Sequence, residues 1–136
     1  MNTKNLVIVL IGVSTLFLMA FIKPFSTNES WEVPSKYKKM KNPFAEDKDS
    51  GRVGQTLYVV HCKSCHGKTG IGNGTKSKSL KTPMPDFTKK EFQDQTDGEL
   101  YYKTVFGRDE MPSYEKKIRD DEDRWLLINY LRKLKN

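Results

Sequence analysis

A chain of 136 residues has room for one small domain and some extra segments, and for little more. With 36% hydrophobic and 30% charged residues it can build only a thin core, which excludes a large apolar interior. The formal net charge of +7 directs attention to acidic partners or surfaces.

The chain opens on Lys4 followed by an uncharged run to Ile22, rich in Leu, Val, Ile and Phe, and closed by Lys23-Pro24. A basic start and an apolar centre read as a targeting segment. Leu18-Met19-Ala20-Phe21 offers no clean cleavage pattern, and Leu6–Ile22 reaches the lower limit for spanning a bilayer. Residues 1–22 are therefore a signal peptide or an N-terminal membrane anchor, with retention as an anchor favoured. Residues 23–50 read as a linker, with Pro24, Pro34 and Pro43 among many Lys, Ser and Asn. Trp31, Val33, Tyr37, Met40 and Phe44 are too apolar for a purely solvated tether, so part of this linker is expected to dock on the domain C-terminal to it.

Val53, Leu57 and Val60 recur at helical spacing and predict a first helix over Arg52–Val60. Gly54 sits inside it, where a glycine costs about 1 kcal/mol relative to alanine unless another helix crosses closely. Then comes Cys62-Lys63-Ser64-Cys65-His66, which reads C-x-x-C-H, the attachment signature of c-type haem. Two thiols three residues apart lie on one helical turn, where they can add to the two vinyl groups of one porphyrin, and the histidine then points at the iron. A zinc site needs about four ligands, and only the adjacent His61 remains to help. A thioredoxin-like motif needs a βαβ context that is missing, and a structural disulfide leaves His66 unexplained. His61 is placed as a packing residue and not as a ligand.

Gly67 to Thr75 is rich in glycine but fails G-x-x-x-x-G-K-[ST], so a phosphate-binding reading is set aside. Such glycines suit a loop that hugs a flat cofactor. From Lys63 to Lys90 there are seven lysines and one acid, Asp86. They steer the domain to an acidic partner or merely solubilise it. They lack the interleaved aromatics and arginines of a nucleic-acid surface, so no nucleic acid is expected. Leu80 to Phe87 is a loop stiffened by Pro83 and Pro85, with Leu80 and Phe87 as pocket-lining candidates. The next helix has Asp97 as its expected cap and Gly107 as its stop. The Asp120–Asp123 acids suit the start of a last helix. Trp125, Ile128, Leu131 and Leu134 form its apolar stripe, and Arg132, Lys133 and Lys135 complement its dipole.

From about Gly51 to Leu134 the chain resembles a bacterial single-haem class I cytochrome c. The resemblance rests on Gly51 to Tyr58, Cys62 to Gly67, Gly70-Ile71-Gly72-Asn73-Gly74, Gly107 to Pro112, and the last helix with Trp125 and Tyr130. It implies an all-α fold of four to five short helices around one covalently attached haem c, preceded by the N-terminal apolar helix. It places the cytochrome domain at 51–136. It implies that Cys62 and Cys65 form the thioethers, that His66 is one axial iron ligand, and that Gly54 and Tyr58 pack on the last helix. It also implies a loop carbonyl that accepts from the free histidine nitrogen, although the proline usual near Thr75 is missing here. A glycine loop leading to Met-Pro is how the family presents its second axial ligand, which makes Met111 that residue, with Met84 as the rival.

These features imply a one-electron carrier and not an enzyme, exported or periplasmic, serving redox partners with acidic docking surfaces. The alternative is an electron-transfer subunit of a larger quinol-oxidising or terminal reductase complex in the membrane. A peroxidase-like or gas-sensing haem would require the Met111 bond to be lost.

Overall fold

The computed structural model describes residues 30–47 and 52–135. The expected apolar helix within residues 1–22 and the question of its cleavage lie outside them. Among the described residues no helix is long and apolar enough to cross a membrane. Glu32–Asn136 forms one compact unit, and Trp31 belongs to the unit before it.

The expected all-α architecture is present: six α-helices, and no strand beyond a single bridge between Arg108 and Met111, among the described residues. They are α1 (Ser35–Lys38), α2 (Val53–His61), α3 (Lys63–His66), α4 (Lys90–Gln93), α5 (Asp97–Phe106) and α6 (Asp121–Lys133), with a short 3-10 turn at Ser77–Ser79. Three of them, α1, α3 and α4, are four-residue turns. Helices this short do not stand on intrinsic propensity, so tertiary packing holds them.

That packing centres on the crossing of α2 and α6. A Cβ at Gly54 would lie 2.1 Å from the Leu126 carbonyl oxygen, so only a glycine lets the two backbones come this close. One turn on, Tyr58 is fully buried and its ring lies 5.2 Å from that of Tyr130. Helix α5 joins them through Tyr101, whose ring is 4.3 Å from Trp125. Leu100, Leu127 and Ile128 complete the buried centre. Each large apolar side chain buried this way contributes about 1.5–3 kcal/mol.

The cap of α5 is Thr96, not Asp97. The Thr96 hydroxyl accepts from the Glu99 amide at 3.2 Å, and the Glu99 carboxylate accepts from the Thr96 amide at 2.7 Å, a reciprocal capping pair. This frees Asp97 for Arg132, which donates to its carboxylate at 2.8 and 2.7 Å and to the Gln93 carbonyl at 2.7 Å. Arg132 thus does more than complement a helix dipole: it ties α6 to the start of α5. At the other end of α6, Asp120 accepts from the Glu122 amide at 2.9 Å, as its acid cluster predicts.

The segment from Glu32 to Asp47 lies against this helical frame. Val33 is buried, and Tyr37, Met40 and Phe44 pack on the core. Asn129, buried in the middle of α6, donates to the carbonyls of Phe44 at 2.7 Å and Asp47 at 2.8 Å. Its own oxygen accepts from Asn42 at 2.7 Å. The sequence offers no periodic signal for this polar clasp, because both partners are single amides far apart in the chain.

Candidate haem site

Helix α2 ends at His61, and the chain bends at Cys62 before α3 resumes. Cys62, Cys65 and His66 therefore share one short turn. The amides of Cys65 and His66 both donate to the Cys62 carbonyl, at 3.1 and 2.9 Å. Neither cysteine is in a disulfide; Cys62 is buried and Cys65 half-buried. Burial pushes the Cys62 thiol up to about 12, with the neighbouring Cys65 adding to the effect. In the folded chain that thiol stays protonated and is a poor nucleophile.

His66 is 8% exposed. Burial brings its imidazole down to about 4, so it is neutral at pH 7, the form that ligates a metal. Phe87 stacks on its ring at 4.5 Å and 28°, and Phe92 stacks behind Phe87 at 4.2 Å. The ring is thus held by two aromatic layers. Its Nδ1 is buried and has no hydrogen-bond partner among the described residues. A buried imidazole nitrogen left this way is costly in a finished protein. An iron held by the other ring nitrogen would leave that cost in place, so the fit to a haem rests on the buried neutral imidazole and the two free thiols on the same turn.

The glycine loop wraps the motif from its carbonyl side. The amides of Gly72, Gly74 and Lys76 donate to the carbonyls of His66, Cys65 and Ser64, at 2.9, 3.1 and 2.8 Å. These bonds satisfy the open carbonyl end of α3. They also spend the loop's donors on the motif, and no loop carbonyl reaches Nδ1 of His66. The carbonyl acceptor implied by the resemblance is therefore not formed, and the loop lacks the proline usual near Thr75. Tyr58 donates to the Gly67 carbonyl at 2.7 Å and Tyr114 to the His61 carbonyl at 2.8 Å, so phenols brace the motif at both ends. His61 itself rests edge-on against the Tyr114 ring at 5.5 Å, a packing role.

Met111 lies in the turn Arg108–Met111, closed by mutual backbone bonds of 3.0 and 2.9 Å. The turn is anchored behind by the Tyr114 amide and the Ser113 hydroxyl, both donating to the Val105 carbonyl. Met84 lies in the other loop, against Gly72. Both methionines are half-buried. The Glu110 carboxylate, beside Met111, accepts from the amides of Lys81 and Thr82, a link that sequence reading missed and that no local pattern signals. Lys63, Lys68, Lys76, Lys78, Lys81, Lys89 and Lys90 are all exposed. Val59, Val60 and Ile71 are large apolar residues exposed near them in sequence. An open groove of about 470 Å³ lies along Lys63, Lys68, Asn73 and Thr75.

A comparison with curated proteins found no match. A model of the family described as cytochrome C oxidase, cbb3-type, subunit III matches residues 49–131. The matched span takes in the C-x-x-C-H turn, both loops and most of α6. The chain belongs to this cytochrome c family, in keeping with the resemblance of its sequence to a class I cytochrome c.

Proposed function

We propose that the chain is a one-electron carrier with one haem c, bound through Cys62 and Cys65 and ligated by His66 and Met111. The observation that carries this reading is the buried, neutral His66 on the same turn as two free thiols. Held there, the haem supplies a one-electron iron couple. The protein's part is to keep that couple rigid and dry. Phe87 and Phe92 fix the plane of His66, the phenols of Tyr58 and Tyr114 brace the motif, and the 108–111 turn presents Met111. Two strong protein ligands leave no open position for a substrate, so the chain is a carrier and not an enzyme.

The exposed lysines from Lys63 to Lys90 face a redox partner with an acidic docking surface. The domain works outside the cytoplasm, in the periplasm or on the membrane, with residues 1–22 as export signal or anchor. Residues 23–50 connect to a cytochrome domain at 51–136, with the stretch from Glu32 to Asp47 packed on that domain. The family's name favours a second reading, in which the chain is the electron-entry subunit of a membrane terminal oxidase or a related quinol-oxidising complex. Stable co-purification with other subunits after mild solubilisation supports this second reading, and isolation as a free protein supports the shuttle.

The matured protein tests the haem assignment directly. Its reduced alkaline pyridine spectrum is expected to be that of a haem with both vinyl groups saturated. In Cys65→Ser it shifts to longer wavelength, as one vinyl group stays conjugated. The untreated reduced protein is expected not to bind carbon monoxide. Binding would support an open-site haem of the peroxidase or sensor kind.

A further inference from the structure

The turn that carries Met111 is fastened to a second loop by one side chain. Glu110 Oε2 accepts from the amide of Lys81 at 2.9 Å and from that of Thr82 at 2.8 Å. The two loops are some thirty residues apart in sequence, and neither is a regular helix or strand over these positions. The Lys81–Thr82 stretch immediately precedes Pro83-Met84-Pro85, whose prolines restrict it. Glu110 therefore grips a proline-restricted loop.

The turn itself is not a relaxed one. Asp109, at its centre beside Glu110, has φ of 52°, a left-handed conformation that a non-glycine residue seldom holds. Gly107, which opens it, has φ of 68°, and a Cβ there would meet the Met111 carbonyl oxygen at 2.4 Å. A turn in such a conformation persists where its surroundings fix it. At its base the fixing comes from the Val105 carbonyl, which accepts from Ser113 and Tyr114. At its tip it comes from the two amides held by Glu110. Both bonds are charge-assisted, the stronger class of hydrogen bond.

We infer that Glu110 is a positioning residue for Met111: its carboxylate latches the 108–111 turn to the 81–82 backbone and so resists detachment of the methionine from the iron. This deepens the proposed function and rests on Met111 being the ligand. Carboxamide in place of carboxylate keeps the size of the side chain and removes the charge that both amides face.

The test uses the matured full-length protein in the oxidised state, with free imidazole as the probe that competes with the methionine sulfur for iron. Glu110→Gln is expected to bind imidazole about threefold more tightly than wild type, because the carboxamide oxygen still accepts both amides but without the charge that strengthens the bonds. Asn129→Ala, which loosens the 32–47 segment and removes no bond of this turn, is the control and is expected to leave imidazole affinity unchanged. In the wild type, the amides of Lys81 and Thr82 are expected to exchange hydrogen more slowly than those of an open loop. If the wild type shows the far-red sulfur-to-iron band but Glu110→Gln matches it in imidazole affinity, the latch is wrong while the Met111 reading stands. The latch is equally wrong if those two amides exchange at open-loop rates. If the wild type shows no such band, the Met111 reading fails and takes the latch with it.

Discussion

Tyr58 and Tyr114 show how single side chains set the conditions under which the site survives. Both phenols are buried, and each donates to a backbone carbonyl beside the haem motif. Burial, before the nearby thiols, pushes Tyr114 up to about 12 from an ordinary value of 10.0, and pushes Tyr58 higher still. The thiol share disappears once the cysteines are thioethers, and burial remains. A group raised in the folded state stabilises the fold fully below pH 10, and that stability is lost as pH climbs towards 12. Chemical unfolding of the matured protein is therefore expected to need less denaturant as pH rises through this window. Tyr114→Phe is expected to flatten that slope. It should also cost about 1–3 kcal/mol at neutral pH, because the His61 carbonyl loses its donor. An unchanged alkaline slope in both Tyr114→Phe and Tyr58→Phe would remove the phenols from this role. At this scale the cysteines and His66 were legible as a candidate site because the motif lies in five consecutive residues. Glu110 and Asn129 were not, since each acts on backbone groups far away in the chain.

Helix α6 is the element on which the others depend. Gly54→Ala drives a methyl group into the Leu126 carbonyl and must push α2 off α6. The expected cost is about 1–3 kcal/mol, the range for overpacking, read as a lowered unfolding midpoint with the haem still attached. A wild-type midpoint would mean that the crossing has slack. The glycine was legible as a close-approach residue because glycine is expensive within a helix and needs a reason. The cap of α5 was misread. Thr96 and Asp97 are both good cap formers, and the deciding signal, the Thr96-x-x-Glu99 spacing of a capping box, is local and was passed over. On the other side of α6, Asn129 holds the packed segment from Glu32 to Asp47. Asn129→Ala leaves these groups short of partners and is expected to cost about 1–3 kcal/mol. It should also expose that segment to protease at concentrations that spare the wild type. Resistance equal to wild type would show that apolar contacts from Val33, Tyr37, Met40 and Phe44 suffice.

For the molecule as a whole, the packed segment makes the compact unit begin at Glu32, ahead of the first helix of the recognisable family span. The composition had suggested a thin core, and the extra apolar residues of this segment thicken it. The exposed lysines between Lys63 and Lys90 are a property of the whole surface, and their consequence is kinetic. Electron exchange with an acidic redox partner is expected to slow steeply as ionic strength rises, because steering acts over about a Debye length. A rate indifferent to salt would make these lysines a solubilising surface only. Core, loops and surface serve one proposed centre, a haem that His66 and Met111 keep closed to other ligands. The most direct test is the far-red absorption of the matured oxidised protein beside that of Met111→Ala. Ligation by Met111 predicts a sulfur-to-iron band in the wild type that vanishes in the variant. A band missing from the wild type, or one that survives the substitution and so points to Met84, would contradict it.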